Sequence, residues 1–207
     1  MKYLWLFVCC FSYAIVRYNV FGDVHPSHIP SFIFNKAVAF SAIFALLFAA
    51  LAGRRSKPVE SRNWFSFFKA ATAVHILLSL AMMSPIYYPK IFQDGRLSFF
   101  GELALLFGVL GIFMFWSKKI VEYDSPATLE WIKLGAIAAL ALHQLFLGLF
   151  GWLKPQGWSA YGYMPPITLV SFTVIVAILV LQIMEIRKRT FAFAASRDNG
   201  NKANDRT

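Results

Sequence analysis

Six stretches of the chain are apolar on all sides rather than along one stripe: 3–20, 31–52, 64–84, 97–117, 131–153 and 165–186. A bilayer core about 30 Å thick is crossed by roughly 20 mostly apolar helical residues. Each stretch reaches or approaches that length, and each is bounded by charges, Pro, or Trp and Tyr. None shows the period-2 alternation of an outer-membrane barrel strand. The pattern therefore predicts an all-α fold, a polytopic membrane helix bundle with six transmembrane helices. Residues 1–189 form that transmembrane domain. Residues 190–207 are rich in Asn, Asp, Lys and Arg and are expected to form a disordered cytoplasmic tail.

The first stretch also resembles a secretory signal, because Lys2 precedes it. No small-x-small cleavage site follows, and the apolar run continues to Val20. Cys9 and Cys10 follow Val8, not the small residue that precedes a lipidated Cys. The segment is therefore expected to be a retained helix.

Composition narrows the function classes. The 207 residues are 58% hydrophobic and only 14% charged, against about 25% charged in an ordinary soluble domain. That excludes a soluble globular enzyme and a disordered chain. Two adjacent Cys and no others exclude a disulfide scaffold and a Cys-ligated zinc or iron–sulfur site.

The net charge of +10 suggests nucleic acid only until its placement is read. Fifteen of the 20 Lys and Arg fall at the N-terminus, in the second and fourth connections and in the tail, against five on the opposite side. Those five are Arg17, Lys36, Lys90, Arg96 and Lys154. The asymmetry places both termini in the cytoplasm, in a multi-pass protein of the inner membrane. The charge is a topology signal that anionic lipid reinforces, and no nucleic-acid partner is expected. Trp64, Trp116 and Trp131 then mark the inner interface. Tyr87, Tyr88, Trp152, Trp158, Tyr161 and Tyr163 mark the outer one.

Ionisable groups inside a bilayer are costly, so each is a candidate for function. Lys69, Lys133 and Lys36 lie near helix ends and can snorkel to a surface. Arg17 lies near the outer end of the first helix, and Glu102 near the outer end of the fourth, within reach of Lys36 or Arg96. His75 and His143 are different. They stand at matched positions in the third and fifth helices, which run in the same direction, roughly 16–18 Å from the cytoplasmic end at 1.5 Å per residue. Two neutral imidazoles at one depth on two helices suit axial ligation of a haem iron. Gly135, Ala138, Ala139 and Gly148 on the fifth helix, with Ala70, Ala71, Ala73 and Ser79 on the third, allow close approach. Thr72 or Gln144 is placed to orient an imidazole. The same residues also fit two structural histidines that bond between helices, or a proton-relay pair.

Several segments resemble a known family. They are His75-Ile-Leu-Leu-Ser-Leu80, Ser84-Pro-Ile-Tyr-Tyr-Pro-Lys90 and Gly101-Glu-Leu-Ala-Leu-Leu-Phe-Gly108, with His143, Gly151-Trp-Leu153 and Pro165-Pro166. Together they are similar to the ferric reductase-like transmembrane domain. That group includes six-helix b-type cytochromes and the haem subunit of a periplasmic methionine sulfoxide reductase system. The likeness covers about residues 60–187, and the first two helices only in hydropathy. It implies haem b held between helices three and five, with His75 and His143 as the iron ligands. Family members commonly carry a second haem, held by His about thirteen residues further along one or both helices. Here Tyr88 and Gln156 lie one step on, and Arg62 and Glu130 one step back. One haem is therefore expected, and a second is not supported. His25 and His28 in the outer loop are expected to be solvated, with weak metal binding or contact with a haem at the outer face as the alternative.

Reductases of this superfamily that act alone carry a flavin and nicotinamide domain after the sixth helix. No Gly-rich phosphate-binding fingerprint follows the sixth helix here. Electrons are therefore expected from quinol or from a partner reductase. The favoured function is a membrane b-type cytochrome subunit that passes electrons to an extracytoplasmic acceptor, an oxidoreductase subunit at most. Lys90, Arg96 or Lys36 would neutralise haem propionates that point outward. The alternative is a non-haem scaffold or assembly factor with structural histidines, its basic loop 54–62 docking a partner. A proton or metal-ion conduit ranks last, because no Asp or Glu lies near the midplane.

Overall fold

A computed structural model describes the backbone of residues 1–22, 24–121 and 126–204. Side chains are described for these except 118–121, 126–127, 155 and 189–204. Lys118, Lys119 and the basic residues of the tail thus lie outside the described side chains.

The chain is all-α, with six helices long and apolar enough to cross a membrane. Helix α1 (Lys2–Ile15) widens into a π-helical turn at Val16–Val20. A short 3₁₀ turn, Pro26–His28, and a second π-helical turn, Ile29–Ile33, lead into α2 (Phe34–Arg54). Pro26 and Pro30 lack the amide hydrogen that a regular α-turn would use. Helix α3 spans Pro58–Ala81, α4 Phe99–Val121, α5 Pro126–Trp152 and α6 Ile167–Asn204. Pro58 and Pro126 open their helices where a missing N–H costs nothing. Between α3 and α4, β1 (Phe92–Gln93) and β2 (Arg96–Leu97) form a minimal hairpin. Its two-residue turn needs positive φ at both positions, and Asp94 and Gly95 supply +52° and +74°.

Helix α2 is the hub. It packs against α1, α3 and α6, while α5 packs against α4 and α6. Its buried residues include Ala37, Ala42, Ala45, Ala49 and Ala52, small side chains that let neighbouring helices come close. Lys2 at the start of α1 meets Glu60 in the first turn of α3 at 3.2 Å, so these two helix ends share one face, here the terminal face. On the opposite, distal face, α1 is latched to the start of α6. Tyr13 donates to the Pro165 carbonyl at 2.7 Å, and buried Arg17 donates to the Met164 carbonyl. The Arg17 guanidinium also lies 4.6 Å from the centre of the Tyr161 ring.

Large apolar side chains cover the outside as well as the inside. Leu77, Leu80, Val109, Phe113 and Val180 are all exposed along the membrane-length helices. Water would not tolerate that belt, and lipid does. The chain is a multi-pass membrane protein in a lipid bilayer.

Candidate functional site

Helices α3 and α5 each carry one histidine, and in each it stands seventeen residues after the first residue of the helix. Each imidazole thus stands about 25 Å along its helix; counted from the other ends, Ala81 and Trp152, the histidines are six and nine residues in. On the terminal side of His75 α3 leans on α4, with Phe65 and Phe68 5.8 and 5.3 Å from Phe115. Elsewhere α3 stays with α2, and α5 with α4 and α6; α3 and α5 do not pack extensively on each other. The histidines therefore border the space between two packed groups of helices.

Each imidazole is held through Nδ1 by the helix that precedes its own. His143 Nδ1 donates to the Ala104 carbonyl of α4 at 2.6 Å. A carbonyl oxygen only accepts, so Nδ1 carries the proton and Nε2 keeps a lone pair. Gly108, one turn further along α4, makes room for the ring. A Cβ there would lie 2.8 Å from His143 Nδ1. On the other side, His75 Nδ1 bonds Asn35 Oδ1 of α2 at 2.7 Å. Asn35 is only 1% exposed. Its amide nitrogen donates at 2.9 Å to both Ser79 Oγ and Tyr88 Oη, so its oxygen faces His75 and again Nδ1 is the donor. Among the described residues neither Nε2 makes a hydrogen bond, and both histidines are half-buried.

Sequence reasoning placed the orienting groups on the histidines' own helices. Thr72 instead bonds back to the Phe68 carbonyl at 2.7 Å, within its own helix, and Asn35 and the Ala104 carbonyl do the orienting. Asn35 carried a faint signal, as a lone amide near the start of an apolar helix. A backbone carbonyl carries none.

The other candidates separate. Lys36 does not simply reach for the surface: its ammonium is half-buried, 4.9 Å from the Phe32 ring and 5.4 Å from the Tyr88 ring. Lys133 forms a 2.8 Å ion pair with Glu130, which also accepts from Gln182. Glu102 is exposed and pairs with neither Lys36 nor Arg96. In the distal loop the His25 side chain caps the turn Pro26–His28, and the His28 ring meets Tyr87 edge-on at 5.5 Å. Among the described residues no three His, Cys, Asp or Glu side chains gather as a metal site. Burial pushes the Tyr88 phenol above its ordinary pKa, partly offset by its bonds to Ser79 and Asn35.

No protein-family model matches the chain, and no curated protein matches it.

Proposed function

We propose that the chain is a membrane b-type cytochrome subunit, with one haem b held by His75 and His143. The observation that carries this reading is the pair of Nδ1 bonds. Each ring is oriented by an acceptor on a neighbouring helix, which leaves its Nε2 lone pair as a neutral donor. Metal-ligating histidines characteristically carry such an Nδ1 partner. The donor set therefore fits a bis-imidazole haem. Haem iron held by two imidazoles carries one electron at a time, at a potential tuned by its surroundings.

The protein's own part is orientation and exclusion of water. Asn35 and the Ala104 carbonyl fix the tautomers, and apolar helices surround both rings. Electrons would enter from quinol in the bilayer or from a partner reductase and leave to an acceptor on the distal side. The excess of Lys and Arg toward the terminal face supports a cytoplasmic placement of that face in the inner membrane. The segments quoted above relate this reading to the ferric reductase-like group.

The second reading is a non-haem scaffold or assembly factor. It is favoured by the same Nδ1 bonds taken only as ties between helices. A reduced-minus-oxidised optical spectrum of the purified protein decides between them. The cytochrome reading expects a b-type α-band that disappears in the His75→Ala, His143→Ala double variant. A colourless wild-type protein, or a band that persists in the double variant, overturns it.

A further inference from the structure

The distal side holds a concentration of positive charge that the fold leaves uncompensated. Among the described residues, Arg17, Lys36, Lys90, Arg96 and Lys154 stand there against Asp94 and Glu102. Among the described residues none of the five basic groups forms an ion pair. Two of them converge. Lys90 stands two residues after Tyr88, and Lys36 stands on α2 beside Asn35, the residue that holds His75. The Lys36 ammonium rests against Tyr88, the residue whose hydroxyl accepts from Asn35. Lys90 reaches across from the α3–α4 connection to α5, its Nζ 3.6 Å from where a Cβ on Gly151 would lie. Gly151 stands two turns beyond His143 on the same helix. One ammonium thus stands on the α2–α3 wall and the other on the α5 wall, both distal to the imidazoles. A half-buried ammonium at Lys36 and an exposed one at Lys90 would both gain from a shared anion.

We propose that Lys36 and Lys90 form a two-point clamp for the paired carboxylates of the porphyrin, so that the propionate edge of the haem faces the distal side. This rests on the haem reading above and adds an orientation to it. Arg96 is left out of the clamp, because it stands in the β-hairpin opposite Gln93 while Lys90 reaches α5. A lipid phosphate carries the same anionic-oxygen chemistry, and the test separates the two sources.

The full-length protein, stripped of haem in detergent, is titrated with haemin and with haemin dimethyl ester. The ester keeps the iron and the ring but removes both carboxylate charges. Wild type is expected to bind haemin at least about tenfold more tightly than the ester. The Lys36→Met, Lys90→Met double variant is expected to bind both equally and still give the bis-imidazole band. Lys36→Arg with Lys90→Arg should keep the preference, as should Lys154→Met, which removes a distal charge outside the cluster. Equal binding of the two porphyrins by wild type overturns the clamp. So does an undiminished preference in the Met variant, the result expected if the lysines serve lipid phosphate instead. Failure of both porphyrins to give a bis-imidazole band with wild type overturns the haem reading itself, and the clamp with it.

Discussion

Gly108 and His143 are matched by subtraction: the hydrogen that Gly108 carries in place of a methyl leaves the space the imidazole fills, since a Cβ there would lie 2.8 Å from Nδ1 and 3.2 Å from Cε1. Neither the backbone of α4 nor a ring bonded to it can yield easily. Gly108→Ala should therefore destabilise the protein by about 1–3 kcal/mol and displace His143 from the Ala104 carbonyl. Thermal unfolding in detergent reads the first effect, and the histidine ¹⁵N spectrum the second. Gly157→Ala is the control. Nothing lies within 4 Å of its added methyl, so its change should stay within about 0.5 kcal/mol.

Asn35 satisfies three partners at once, His75, Ser79 and Tyr88, from a fully buried position. Asn35→Leu removes a bond from each of the three, leaving His75 only the longer 3.3 Å contact with Ser79, and should cost at least about 2 kcal/mol. Asn35→Asp keeps the acceptor for His75 and should cost less. In the haem-free protein, ¹⁵N shifts should show His75 protonated on Nδ1 in wild type and in Asn35→Asp. In Asn35→Leu they should show mixed tautomers.

Tyr88 gives a pH signature outside the membrane-spanning segments. Its phenol is held above the ordinary value of 10.0, chiefly by burial. The unfolded chain thus gives up this proton at lower pH than the folded one. The stabilisation is fully present below pH 10.0 and is lost as pH rises through the folded value. Stability should fall above that pH, and Tyr88→Phe should make the fall shallower. Absorbance of phenolate, followed against pH in both proteins, checks that Tyr88 ionises late.

The latch between α1 and α6 is testable apart from any cofactor. Tyr13→Phe removes the bond to the Pro165 carbonyl and should cost about 1 kcal/mol. Adding Arg17→Leu also frees the Met164 carbonyl and the contact with Tyr161. Limited proteolysis near Gly22 should then be faster in the double variant than in either single one.

The six helices were legible because lipid demands an unbroken apolar run, and such a run is visible residue by residue. Their ends were less so. Apolar length marks the hydrocarbon portion, yet α3 begins at Pro58, ahead of the expected residue 64, because Glu60, Ser61, Arg62 and Asn63 continue the helix into the polar interface. Helix α5 likewise begins at Pro126 rather than 131. The π-helical turns at Val16–Val20 and Ile29–Ile33 left no trace in hydropathy, since they change how residues are wound and not which residues are apolar. Within the site, His75 and His143 stood out because an imidazole in an apolar run is conspicuous. Their partners did not. Asn35 lies 40 positions from His75 and Ala104 lies 39 from His143, distances at which only the packing of adjacent helices creates a relation.

That packing has a kinetic side. Each imidazole is set by the helix just before its own, α2 for His75 and α4 for His143. Two antiparallel hairpins, each complete in itself, therefore present rings whose rotamers are already frozen. The entropy of ordering them is lost while the hairpins form, so the haem proposed above would meet a finished socket rather than one it must assemble.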